Sequence, residues 1–283
     1  MHPPQTFGIV AGGGHHVRGF FSIILMTLAF LSAAAHAQRL TEVVPELGII
    51  DATKRAWLAN NPEGLSPVEL NERAAEINAV ELDNSHDAAA PRERLRVVAW
   101  NMERGRHWQE GVNLLQEHPL LRNADLLLLT EMDIGMARSD NANTTREVAQ
   151  ALGMNYAYAV EFIELSLGKP SDLTTVREPE NAVGYHGNAI LSRYPLTQVR
   201  ALRFPGIEQW YGSDEHRLGG RNAVLAEIAV GGQTITVAVT HLESGITDGA
   251  FREREVRLLL EELEQHAAGK PVILGGDLNA FHK

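Results

Sequence analysis

PVILGGDLNA, residues 271–280, joins a short apolar run to a charged turn. Val272, Ile273 and Leu274 are continuous, and two of them are β-branched, the pattern of a strand buried on both faces. Gly275 and Gly276 then allow a sharp turn or a close approach to a neighbour, and Asp277 and Asn279 follow two positions apart. In extended geometry that spacing puts a carboxylate and an amide on one face. Such a pair suits a metal-activated water and a phosphoryl oxygen. Four other stretches are read as converging on this turn.

The 283 residues have room for one large domain with appendages or for two small ones. A hydrophobic fraction of 44% supports a sizeable core without crosslinks. The absence of cysteine excludes disulfides, thiolate metal sites and cysteine nucleophiles. A formal charge of −11 argues against non-specific binding along a polyanion.

Residues 20–35, FFSIILMTLAFLSAAA, form an apolar run behind Arg18, and Ala35-His36-Ala37 has the small-x-small form of a signal-peptidase site. The run is shorter than the roughly 20 residues a membrane span needs. A signal peptide over residues 1–37, cleaved after Ala37, is therefore expected, with an exported mature chain, periplasmic or secreted, that has no transmembrane span. Retention of residues 20–35 would instead make them a membrane tether. The glycines at 12–14 lack the Lys-Ser/Thr that follows in a phosphate loop.

Residues 38–90 are expected to form a helical N-terminal extension and linker, and residues 91–283 the main domain. Ser66, Pro67 and Glu69 supply an N-cap, a first-turn proline and a capping-box acid for a helix running on through Leu70, Ala74 and Ile77. From residue 95 strands alternate with helices. A strand over 95–100 ends at Asn101, and DLLLLTE at 125–131 delivers Glu131 to a sheet rim with Asp133 on the same face. Helices are predicted over 108–117 and 145–152. A strand over 156–165 follows, with Glu161 and Glu164 read as its solvated face. Residues 166–185 show no periodicity, and a loop of that length inside a domain is usually functional or disordered. GNAILS at 187–192 is a further strand. Trp210 and Tyr211 are read as aromatics that anchor their loop. Strands over 221–230 and 233–240 flank Gly231-Gly232, a hairpin signal. Asp248 is placed as the cap of a helix with Val256, Leu259, Leu260, Leu263 and Ala267 on its apolar face. Hairpins mixed with helical crossovers fit two packed sheets with helices outside.

Several strands end on Asn, Glu, His or Asp-x-Asn. Oxygen donors such as Glu131 and Asp277, with amides such as Asn101, suit a hard cation, Mg²⁺ or Mn²⁺. A cation there would polarise a phosphoryl oxygen. His241, Asn101 and Asn279 are candidates to bind the phosphoryl group, and Asp277 to orient or deprotonate the water. Asn188 and Arg221 are candidate substrate-binding residues. Asn188, like Arg193, either lines the site or shapes its strand, and Arg221 either reaches a phosphate or sits in an ion pair.

The ordered set WNM at 100–102, TE at 130–131, HGNAILSRYP at 186–195, GRNAV at 220–224, THLES at 240–244 and GGDLNA at 275–280 resembles the endonuclease/exonuclease/phosphatase superfamily. Its members include deoxyribonuclease I-like nucleases, neutral sphingomyelinases, inositol-polyphosphate 5-phosphatases and deadenylases. The resemblance implies an α/β (α+β) four-layer sandwich: two mixed, mostly antiparallel sheets packed face to face, with helices outside. It implies Mg²⁺-dependent hydrolysis of phosphoester bonds in a nucleic acid, a phospholipid headgroup or a small phosphoester, with no stable protein partner. By motif position Glu131 is the metal-binding glutamate, with Asn101 beside it. Asp277 is the central acid with Asn279 its companion, and His241 is the strand-end histidine. Glu103 falls where some members carry a second metal-linked acid. The family pattern continues into a Ser-Asp-His motif beyond Lys283, so the expectation is that the C-terminal part of the fold is missing and that activity is reduced. The rival readings are a non-catalytic phosphate-binding module on the same scaffold and a membrane-tethered, sphingomyelinase-like phosphodiesterase.

Overall fold

The computed structural model describes residues 36–173, 176, 178–206, 208–245 and 249–280. All but the end of the expected signal peptide, and the Asp248 cap, lie outside them. In chain order the strands are β1 (Gln38–Leu40), β2 (Glu42–Val44), β3 (Ala79–Asp83), β4 (Val97–Asn101), β5 (Leu126–Ile134), β6 (Asn155–Glu164), β7 (Tyr185–Ser192), β8 (Thr197–Arg203), β9 (Arg217–Gly219), β10 (Asn222–Val230), β11 (Gln233–His241) and β12 (Val272–Asp277). The α-helices are α1 (Ala52–Asn60), α2 (Pro67–Arg73), α3 (Trp108–Glu117), α4 (Thr144–Leu152), α5 (Glu208–Tyr211) and α6 (Gly249–Ala267).

The strands make two mixed sheets. One runs β1-β8-β10-β11-β12, and the other β2-β3-β6-β7-β5-β4 with β9 beside β6. Pairing is antiparallel except at β2–β3, β4–β5 and β11–β12. Strand alternation explains the layering. In the run at 126–129, Leu126 and Leu128 face a core shared with Val224, Ala226, Val237 and Val239 of the other sheet. Leu127 and Leu129 face the opposite way, onto a core that takes in Val112 and Leu115 of α3 and Val148 of α4. Beyond the five-stranded sheet, Leu225 and Ala238 meet Leu259 and Leu263 of α6. Four layers result, helix, sheet, sheet and helix, as expected. The Gly231-Gly232 hairpin also forms, with Val230 opposite Gln233.

Four expectations need correction. Residues 38–90 are more than a helical extension, because β1 pairs with β8 and β3 with β6, so this stretch builds an edge of each sheet. Ser66 and Glu69 do form the capping box of α2, but that helix ends at Arg73 and the chain is extended again from Ala79. The strand β12 is not buried on both faces. Among the described residues it pairs only with β11, and Val272 and Leu274 are about two-fifths exposed. On α6, Val256 and Leu260 are exposed, whereas Glu255 and Glu262 are buried. Glu262 is held there by Arg39 at 2.6 Å and Arg200 at 3.1 Å.

Gly276 shows why PVILGGDLNA contains its glycines. Its φ is +129°, and a Cβ there would lie 1.9 Å from the Thr240 carbonyl oxygen. Only glycine lets β12 approach β11 so closely. The approach sets His241 opposite Asp277.

Candidate active site

The site is built where strand ends of the two sheets meet. Asn101 closes β4 and Glu131 lies within β5 on the seven-stranded sheet, while His241 and Asp277 close β11 and β12 on the other. Glu131 sits in a β-bulge. Its φ is 58°, and the register with β7 shifts between Leu129 and Met132. A matching shift occurs in β6 between Val160 and Phe162, where Glu161 lies, and both bulges face Gly187 of β7. A Cβ on Gly187 would fall 2.1 Å from the Ala159 carbonyl oxygen, so glycine is required there too. Bulges re-aim side chains at sheet rims. Here they turn two glutamates toward the cleft end of the sandwich.

Asn101 ties the carboxylates together. Its Nδ2 donates to Glu131 Oε1 at 3.0 Å and to Asp277 Oδ2 at 2.9 Å, while its Oδ1 accepts from the Glu103 N–H at 2.9 Å. Carboxylates only accept, so the amide nitrogen must face them. The oxygen of Asn101 is therefore turned away from the position of a metal ligand, and the residue positions the two acids instead. Burial works to raise the pKa of Glu131, but the imidazoles of His186 and His241 and the Asn101 hydrogen bond outweigh it and bring it down to about 2. Glu131 is thus ionised at neutral pH.

Asp277 Oδ1 accepts from the Asn279 N–H at 2.9 Å, and Asn279 Nδ2 donates to the Leu242 carbonyl at 2.8 Å. Asn279 lines the cleft but its amide nitrogen braces the turn. Arg221 NH1 lies 2.9 Å from Nδ1 of His241. Arginine can only donate, so Nδ1 accepts and the ring proton of His241 sits on Nε2. Glu161 is 3.6 Å from the same nitrogen, outside hydrogen-bond range. Nε2 faces Asp277 Oδ2 at 3.9 Å.

Glu131, His241, Asp277, Asn279 and Arg221 line one cleft of about 350 Å³. Asn188 does not. It is fully buried and donates to Asn222 Oδ1 at 2.9 Å, so it shapes β7 against β10 rather than meeting a substrate. Arg193 is likewise structural, donating to the Ala124 carbonyl at 2.9 Å. Glu103 is exposed and ion-paired with Arg106, lining a different pocket with Trp100 and Met102. Asp133 is buried rather than presented beside Glu131 at the rim.

Glu161 and Glu164 are fully buried, contrary to the solvated face expected of them. Burial raises the pKa of Glu161, but Arg221 and His241 more than offset this and hold it at about 2. Glu164 contacts Arg138 at 3.1 Å and Arg217 at 3.6 Å. The two glutamates read as solvated because their cationic partners come from distant elements.

The cleft also contains residues the motifs did not single out: His186, Arg104, Lys169, Glu215, Arg217, Trp210 and Ser244. Arg104 and Arg217 both grip Glu215, and Arg217 lies over the Trp210 ring at 4.0 Å. Trp210 Nε1 donates to Glu243 at 3.1 Å, and Tyr211 OH donates to the Leu58 carbonyl at 2.7 Å, so both aromatics are anchored. The signal for His186 was present at the head of HGNAILSRYP.

Among the described residues no three His, Asp or Glu side chains converge closely enough to cage a metal. The donor set still fits Mg²⁺ or Mn²⁺. An ionised Glu131 beside Asp277 is the sparse oxygen environment of a cation that keeps several waters and completes its shell from a phosphate.

The Endonuclease/Exonuclease/phosphatase family model matches residues 98–282. The chain is 29% identical over 117 residues to the protein YbhP of Escherichia coli (strain K12), covering 40% of this chain and 41% of that protein, so the match spans about two-fifths of the curated relative. Among solved structures, the endonuclease/exonuclease/phosphatase from Beutenbergia cavernae DSM 12333 superposes with a TM-score of 0.50 at 17% identity, over 67% of this chain and 48% of that one. The human Nocturnin catalytic domain with bound sulfate anion gives a TM-score of 0.48 at 23% identity, over 71% of this chain and 68% of that one.

Proposed function

Because the chain belongs to the endonuclease/exonuclease/phosphatase family, a family of phosphoester hydrolases, we propose that it is an exported hydrolase of phosphoester bonds that depends on Mg²⁺ or Mn²⁺. The observation that carries this is the Asn101 bridge, which places an ionised Glu131 and Asp277 in one cleft with the Nε2–H of His241. Glu131 would hold the cation, with Asp277 next to it. Bound there, the cation would polarise the phosphoryl oxygen and offset developing charge.

The chain's own groups do the rest. Asp277 accepts the proton of the attacking water. His241 donates Nε2–H to a phosphoryl oxygen, its tautomer fixed by Arg221 on Nδ1. Asn279 holds the Asp277 turn in place. Metal removal tests this reading: turnover by the full-length protein should stop on chelation and return with Mg²⁺.

Export is supported by the apolar run at 20–35 and the Ala35-His36-Ala37 site. Cleavage after Ala37 would leave Gln38, the first residue of β1, at the new terminus with its sheet pairing intact. N-terminal sequencing of the mature protein is expected to begin at Gln38. A start that retains residues 20–35 would show a tether instead.

A further inference from the structure

His186 is the second imidazole of the cleft, and nothing in the mechanism above employs it. It lies on β7 of the seven-stranded sheet, opposite the wall that carries Asp277 and His241. Its Nδ1 is 2.8 Å from Asp133 Oδ1. Asp133 is fully buried and gripped by Arg138, whose Nε and NH2 donate to its two oxygens at 2.7 and 2.9 Å.

An ionised aspartate can only accept, so Nδ1 of His186 carries a proton. Arg138 NH2, at 3.3 Å from the same nitrogen, is already engaged by Asp133 and by Glu164 at 3.1 Å. Phe162 stacks beside the imidazole with ring centroids 6.4 Å apart. Among the described residues Nε2 has no hydrogen-bond partner, although the residue lines the cleft. The two histidines are thus held in opposite ways. His241 has an acceptor at Nδ1 and His186 a donor at Nδ1. A carboxylate on one imidazole nitrogen orients the ring and supports the charge it carries when the other nitrogen is also protonated.

We infer that His186, positioned by Asp133, is a further catalytic residue that protonates the leaving oxygen of the phosphoester from the wall opposite Asp277. This rests on the hydrolase reading above. The water oxygen attacks phosphorus as its proton passes to Asp277. The bond from phosphorus to the leaving oxygen breaks, both electrons stay on that oxygen, and it takes the Nε2 proton of a doubly protonated His186, which is left as the neutral ring with its proton on Nδ1 toward Asp133. An alcohol or phenol departs, and exchange with solvent returns Asp277 and His186 to their starting states. In-line displacement needs attacking and leaving oxygens on opposite sides of phosphorus, and His186 and Asp277 line the cleft from different sheets.

A leaving group that is stable as an anion does not need the acid, which makes the test specific. Full-length wild-type protein and His186→Gln would be compared with Mg²⁺ on methyl p-nitrophenyl phosphate and methyl phenyl phosphate. The variant should lose about 10²–10⁴-fold in kcat on the phenyl ester and less than about 10-fold on the nitrophenyl ester. Equal loss on both esters, or none on either, overturns the role of His186 while leaving the hydrolase reading in place. The wild type alone gives a second measurement, independent of how the variant folds. Its rates on the two esters should lie within about 10-fold, and a gap beyond about 10³-fold would remove the acid. No turnover of either ester by the wild type, nor of DNA, RNA or sphingomyelin, would remove both readings together.

Discussion

Replacing Asp277 with alanine is expected to lower phosphoester turnover by about 10²–10⁴-fold while leaving the folded protein close to wild-type stability. The activity loss follows from its position. Asp277 is the carboxylate that shares the Asn101 amide with Glu131, and its Oδ2 faces His241 Nε2 at 3.9 Å. With the carboxylate gone, the water loses the acceptor assigned to its proton. The stability expectation follows from exposure, since the side chain is 29% accessible and its removal relieves an acid placed close to Glu131. Turnover and thermal unfolding measured on the same preparation check both parts. A large fall in melting temperature would show that Asp277 holds the turn together, and unchanged turnover would remove it from the chemistry.

Arg138→Met is expected to destabilise the protein by about 3–5 kcal/mol, because it strips the cation from buried carboxylates. Arg138 is fully inaccessible and contacts Asp133 at 2.7 Å, Glu164 at 3.1 Å and Asp172 at 3.5 Å. Burial alone would lower the guanidinium pKa, but these acids raise it well above its ordinary value. Glu164 and Asp172 keep other arginines, Arg217 at 3.6 Å and Arg104 at 2.7 Å. Among the described residues, the carboxylate of Asp133 would keep only His186 and the Ser139 hydroxyl. At the size of this protein the loss corresponds to a fall of roughly 6–20 °C in melting temperature. Urea unfolding checks the free energy directly, and a change below about 1 kcal/mol would mean that the acids find water or a proton instead. The network thus serves the sheet and the cleft at once.

Much of this was legible in the chain. The run at 126–129 read as a strand buried on both faces, and the observed cores on either side of β5 bear that out. The glycines before Asp277 announced a close approach, found at the Thr240 carbonyl. What stayed hidden depended on contacts remote in sequence. β1 is three residues long, too short for periodicity, and it exists because β8 offers an edge to pair with. The bulge at Glu131 has no signature in TEMD, since its left-handed φ is imposed by the register with β7. Glu161 looked wet because Arg221 stands 60 positions away. Asn188 had the right motif position but points into the packing between sheets, where Asn222 holds it. Asn101 was expected as a site asparagine and metal ligand, but only the geometry shows that it offers its nitrogen, not its oxygen, to Glu131.

The most direct measurement is nitrophenol release by the full-length wild-type protein from bis(p-nitrophenyl) phosphate and from p-nitrophenyl phosphate, with chelator, with Mg²⁺ and with Mn²⁺. The cleft described here predicts turnover of at least one ester that is abolished by chelator and restored by either cation. Turnover indifferent to chelator would contradict the role given to Glu131. No turnover of either ester under any condition, nor of DNA, RNA or sphingomyelin, would contradict the hydrolase itself and favour a phosphate-binding module on the same scaffold.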